Sequence, residues 1–172
     1  MIHQFWKAIT AFLVGVIIAT AGANANGLEK PKGTVLLTVS GAISKTNAGE
    51  TAQFDLAMLE AIDSTVIETT TIWTDGIQHL RGVSLAALTK ALGVSSGTLR
   101  AKAINDYVVE IPVTDAVEGG PIIAYELNGE QMPLRNKGPL WIVYPFDTDV
   151  AYKSEQIYTR SIWQLDRIEV VQ

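Results

Sequence analysis

Two hydrophobic periods run along the chain and place its first elements. In TVIETTTIW (65–73), Ile67, Thr69, Thr71 and Trp73 alternate with Val66, Glu68, Thr70 and Ile72. β-branched residues at period two predict a strand, ending at Trp73, with Thr74, Asp75 and Gly76 breaking the run. GVSLAALTKALG (82–93) carries Leu85, Leu88 and Leu92 at helical spacing, the stripe a helix buries against a core. Ser84 suits its N-cap, Val83 and Leu88 fit a hydrophobic staple, and Gly93 stands where a left-handed terminal residue is wanted. FDLAMLEAI (54–62) predicts a second helix, with Leu56, Leu59 and Ile62 inward, Met58 as core filler and Asp55 as cap.

The remaining segments are short and mostly extended. TVLLTVSG (34–41) predicts a strand, and AISKTNAGETAQ (42–53) a loop. TLRAKAI (98–104) and YVVEIPV (107–113) predict two strands around the turn pair Asn105-Asp106. VTDAVEGG reads as a turn or loop, and PIIAYELNGEQMPL (121–134) as a hairpin about Asn128-Gly129. GPLWIVYP (138–145) is almost wholly apolar and predicts a strand at a sheet centre. FDTDVAYKSEQIY (146–158) reads as irregular, and TRSIWQLDRIEVVQ (159–172) as a closing strand. Many short strands with a few short helices between them predict an α+β fold with a mixed β-sheet, over a single domain at 34–172.

The first 25 residues stand apart. MIHQFWKAITAFLVGVIIATAGANA has one cation, Lys7, then an apolar run from Ala11 to Ala19 and the small-residue end Ala23-Asn24-Ala25. This predicts a secretory signal peptide cut after Ala25. The run is short of the about 20 apolar residues a membrane span takes. The expected product is periplasmic or secreted, opens on a flexible polar lead-in (26–33), and has no stable membrane insertion after cleavage.

Composition then narrows the chemistry. The 172 residues carry 13 Lys and Arg against 18 Asp and Glu; without Lys7 the balance is −6. No basic stripe is present, which speaks against nucleic acid as a partner. There is no cysteine, so thiolate nucleophiles, thiolate metal ligands and iron–sulfur clusters are excluded. His79 is the only histidine after the leader. Zinc sites of His and Cys are thereby excluded, and a Ser-His-Asp triad would need His79 itself.

The order of segments TTTIWTDG, LRGVSLAALTKALG, AKAINDYVVEIPV, IIAYELNGEQMPLRNKGPLWIVYP and RSIWQLDRIEV resembles the oxidoreductase molybdopterin-binding domain family. The resemblance covers roughly Thr34 to Val171 and implies a sulfite-oxidase-like fold. It also implies a cysteine ligand to molybdenum near the end of the Thr69–Trp73 strand, where a soft anion suits the metal. Trp73 or Thr74 stands there instead. An indole N–H is a donor only, and a threonine hydroxyl is hard and neutral. The resemblance further implies cations around the pterin phosphate, and Arg135, Lys137 and Arg160 are those nearest the matching segments. The family's glycine- and lysine-rich stretch before the final Trp strand is replaced by AYKSEQIYTRSIW.

These readings give the candidate site. Trp73, Thr74 and Asp75 at the strand end would wall a ligand pocket, with His79 and Arg81 in the loop that follows. Asn105, Asp106 and Tyr107 match an acidic turn that the resemblance places beside the pocket. Arg135, Lys137 and Arg160 would bind an anion if they converge. Trp141, Tyr144 and Trp163 are expected in the core, and Asp147 and Asp149 do not read as a catalytic pair. No catalytic or metal-ligating residue is identified. The expected function is an exported, non-catalytic domain that binds an unknown small molecule, or docks on a membrane sensor or enzyme, with no cofactor. The alternative is an oxidoreductase that uses molybdopterin without a protein thiolate. A haem variant would need His79 or a tyrosine as axial ligand.

Overall fold

The computed structural model describes residues 27–172, so the leader and its cleavage site lie outside the described residues. Ten strands form two sheets. The first takes β1 (Leu37–Gly41), β2 (Ala52–Phe54), β5 (Thr98–Ala103), β6 (Val108–Pro112) and β10 (Leu165–Val171), in the order β2-β1-β10-β5-β6. The second takes β3 (Thr65–Thr71), β4 (Thr74–Ser84), β7 (Ile122–Leu127), β8 (Glu130–Gln131) and β9 (Trp141–Val143). Here β3, β4, β7 and β8 follow in order, and β9 also pairs with β7. The helices are α1 (Leu56–Ile62), α2 (Leu85–Leu92) and α3 (Glu155–Arg160). β1 runs parallel to β10 while its other neighbour β2 is antiparallel, so the protein is α+β with a mixed sheet.

The helices form where the sequence directs them. The Asp55 carboxylate accepts from the Met58 N–H at 2.9 Å, capping α1. It also accepts from the backbone of Lys32 and Gly33 at 2.8 and 2.7 Å, which ties part of the polar lead-in to the domain. Ser84 Oγ caps α2 through the Ala87 N–H, and Gly93 closes it at φ 72°. Leu85, Leu88 and Leu92 are buried, in one core with residues of both sheets.

Four elements differ from expectation. His79 and Arg81 lie in no loop: Thr74–Ser84 is an eleven-residue strand, and the turn before it is Ile72-Trp73, with Thr71 paired to Thr74. The strand's inward positions hold Gln78, Leu80 and Gly82, and a polar residue and a glycine there hide period two. Gln78 is satisfied inside: it donates to Asp75 O at 2.7 Å and accepts from Asn128 Nδ2 at 3.0 Å. Ala52–Phe54, expected as the end of a loop and the start of a helix, is a strand that pairs with β1. The 146–158 segment, expected as irregular, contains the start of α3.

β9 is three residues long and is not central. Its apolar character has another cause. One edge pairs with β7, and on the other the Ile142 N–H donates to Ile162 O at 2.9 Å and Trp141 bridges Trp163. The Leu165 N–H, at the start of β10, donates to Leu140 O at 3.0 Å. This segment is therefore a seam between the two sheets, buried from both sides.

Gly82 marks the bulge between β4 and β7, and a Cβ there would lie 2.2 Å from Ile123 O. Neither backbone can yield without breaking the ladder. Gly82→Ala should therefore cost about 2 kcal/mol or more, in the range of overpacked sites. Urea unfolding should show a lower midpoint at unchanged slope.

Candidate functional site

The tip of the β3–β4 hairpin delivers the Trp73 indole into a cage of rings. Trp163, Trp141, Tyr158 and Phe146 stand around it, edge-on, at centroid distances of 5.7, 5.9, 5.9 and 6.1 Å. Each such pair contributes about 0.5–1.5 kcal/mol beyond area burial. The tip is fixed locally as well. The Trp73 N–H donates to Thr71 Oγ1 at 3.1 Å, and the Thr71 and Thr74 hydroxyls share a bond of 2.7 Å.

A carboxylate clamps the hairpin from behind. Asp147 accepts from the Thr70 N–H and, at 2.9 Å, from the Thr70 hydroxyl. Its own N–H donates to Thr69 Oγ1 at 3.2 Å. Lys153 Nζ lies 2.8 Å from the same carboxylate. Lys153 first, then the Thr70 donors, hold the Asp147 carboxyl far below the ordinary range.

In front of the indole opens a cleft of about 590 Å³. Ile72, Trp73, Tyr107, Tyr158 and Trp163 give it apolar and aromatic walls, and Asn105, Glu155 and Gln164 supply polar groups. Four parts of the chain meet there: the hairpin tip, the β5–β6 turn, α3 and the 161–164 segment. Glu155 is the only charged side chain in the lining. A second groove, about 740 Å³, continues past Tyr107 and Glu155 to Glu110 and Arg160.

Of the residues expected from sequence, Trp73, Asn105 and Tyr107 meet in this cleft. Thr74 spends its hydroxyl on Thr71, and Asp75 is exposed outside the lining. Asp106 turns away to Lys102 at 2.8 Å and Arg167 at 3.2 Å, and Lys102 chiefly lowers its pKa. On the outward face of β4, His79 lies 3.2 Å from Glu68 and Arg81 3.6 Å from Glu126. The three expected anion-binding cations have separate surroundings. Arg135 is exposed and does not line the cleft. Lys137 Nζ stands over the Trp141 and Trp163 rings, 5.4 and 5.5 Å from their centroids. Arg160 donates to Asp115 at 2.8 Å.

Trp163 is not a core residue. It is 38% exposed, because its segment leaves β10 to bridge β9 and turns the indole toward the cleft. Trp141 and Tyr144 are buried as expected. Tyr158, Glu155 and Gln164 enter the site unannounced by the sequence reading. Ser154, which caps α3 through the Ile157 N–H, was the one local signal for the helix that carries Glu155 and Tyr158.

Beside the site, the Tyr144 hydroxyl donates to Asp115 Oδ2 at 2.7 Å, the oxygen that also receives Arg160. Burial first, and then Asp115, push the Tyr144 phenol well above its ordinary pKa. Among the described residues no group of three or more His, Cys, Asp or Glu side chains is placed to hold a metal ion. A comparison with protein-family models finds no match, and a comparison with curated proteins finds none.

Asp147→Asn should lower the melting temperature at neutral pH and shift tryptophan emission to the red as the tip loosens. A carboxyl with a depressed folded pKa stabilises above its unfolded pKa and loses that stability as pH falls through the folded value. The gap between variant and wild type should therefore begin to narrow as pH falls below about 4 and keep narrowing with further acidification, in melts followed across pH. Asp115→Ala leaves a mostly buried guanidinium and the Tyr144 hydroxyl without their acceptor. It should cost about 2–4 kcal/mol in chemical denaturation.

Proposed function

We propose that the protein is an exported, non-catalytic binding module that takes a small molecule into the aromatic cleft. The observation that carries this is the lining itself. Exposed or half-buried rings surround a concavity of small-molecule size, with a few polar groups among them. A nucleophile paired with a base is missing from that lining, and the one described histidine is on β4 beside Glu68. Export rests on the leader pattern, with which it agrees that no helix among the described residues is long and apolar enough to cross a membrane.

Descent from a sulfite-oxidase-like molybdopterin-binding domain is part of the same proposal and rests on the order of sequence segments. The residues present do not fit the molybdenum–pterin group. No cysteine exists to ligate the metal. The cleft offers a pterin phosphate one carboxylate and no cation, with Arg160 engaged by Asp115 and Lys137 by two indoles. The oxidoreductase reading therefore has no donor set to act through.

Titration of neutral aromatic fragments into isotope-labelled protein tests the binding reading. The indole N–H resonances of Trp73 and Trp163 should move together, with dissociation constants on the order of 1 mM for ligands this small. Trp163→Ala should abolish the response while leaving the fold intact. Shifts that map elsewhere overturn the cleft as the site. Stoichiometric molybdenum with turnover, in protein exported by a host that makes the cofactor, overturns the non-catalytic reading.

A further inference from the structure

The cleft has a polarity that narrows its ligand. Aromatic rings present negative faces, and Trp73, Tyr107, Tyr158 and Trp163 contribute four to one wall system. Glu155, exposed at the N-terminal end of α3, adds the only formal charge and makes no ion pair among the described residues. Thr159 and Ser161 donate their hydroxyls to the backbone of α3, Asn105 keeps its amide donors, and acceptor oxygens remain around the cleft. Gln164 donates its amide nitrogen to Leu134 O at 2.6 Å, so its carbonyl oxygen remains for a ligand. The Asn105 carbonyl oxygen accepts from the Tyr107 N–H at 3.2 Å and keeps a second lone pair.

Most of the neighbouring cations are held by carboxylates outside the cleft lining. Arg160 is ion-paired with Asp115, Lys102 with Asp106, and Arg167 with both Asp106 and Asp166. Lys137 lies against the Trp141 and Trp163 rings, which shows the same ring cluster already holding an ammonium group. In the adjoining groove Glu110 adds a second carboxylate, with Arg100 opposite it across the β5–β6 ladder but ion-paired to Glu169.

We infer that the cleft recognises an organic cation: a protonated or quaternary amine with an apolar or aromatic body, its body among the rings and its charge against Glu155. The inference rests on the reading of the cleft as a ligand site. A neutral planar ligand would use the rings and leave Glu155 without a role. An anion would meet a carboxylate and ring faces, both repulsive.

Three matched probes decide the matter at neutral pH: phenethylamine, phenethyl alcohol and phenylacetate, of similar shape and different charge. Binding is read from protein tryptophan fluorescence and checked by the shifts of the Trp73 and Trp163 indole resonances. The amine should bind about tenfold tighter than the alcohol, and the acid should bind more weakly than either. Glu155→Gln should cut the amine's advantage over the alcohol by about threefold. Added salt should erode the same advantage. Tyr107→Ala removes an exposed ring without touching the core, and should weaken amine and alcohol alike. An amine that binds no tighter than the alcohol overturns the inference, as does a preference that Glu155→Gln leaves undiminished. If the alcohol still shifts the two indoles, the binding-module reading stands without the cation. If no probe reaches the cleft, both fall.

Discussion

Edge-on packing of the Trp73 indole against four other rings joins segments that are far apart in sequence. The β3–β4 hairpin brings Trp73, β9 and the turn after it bring Trp141 and Phe146, α3 brings Tyr158, and the approach to β10 brings Trp163. A two-residue turn has little area of its own to bury, so its position depends on what its side chain enters. Here it enters a ring cluster, and two of the rings that meet it, Tyr158 and Trp163, also wall the cleft. Stability at this end of the molecule and the shape of the site are therefore the same packing problem.

Polar contacts make that packing reproducible. Without Asp147 the tip would keep its own Thr71 bonds and the ring contacts, but nothing polar would tie it to the chain beyond β9. Its carboxylate reads the Thr70 backbone and hydroxyl together, and Lys153 fixes the carboxylate in turn. The Asp115 network does the same for the next layer, joining Tyr144 beyond β9 to Arg160 at the end of α3. Both clusters are ionic, and both are complete within themselves. They engage Lys153 and Arg160, and Glu155 is left as the charged side chain in the cleft lining.

The seam at β9 holds Trp163, one wall of the cleft, in place. Trp141, Ile142 and Val143 are fully buried because a sheet lies on one edge and the chain leading into β10 on the other. Trp163 sits where that chain crosses from one sheet to the other. A residue at such a crossing has backbone bonds on one side and space on the other, which is how a large ring stays partly exposed without disturbing the core.

Helices with complete local signals were legible from sequence. α1 and α2 carry their cap, their stripe and, in α2, their terminating glycine within a dozen residues. The hairpin at Asn128-Gly129 was legible for the same reason: both residues adopt positive φ, 54° and 84°, which that pair tolerates. The α+β class followed from the count of short strands. What failed was decided at a distance. β4 was hidden because Gln78 and Gly82 occupy inward positions, and only Asn128 and the Ile123 backbone explain them. Of eleven candidate site residues, Trp73, Asn105 and Tyr107 converge, because two turns happen to face one another; His79, Arg81 and Asp106 are drawn off by ion pairs across strands. Sequence by itself determined which groups the protein lacks and where its local turns and caps fall. Tertiary structure alone decided which rings share a cleft and which charges are already spent, since both depend on contacts between residues tens of positions apart.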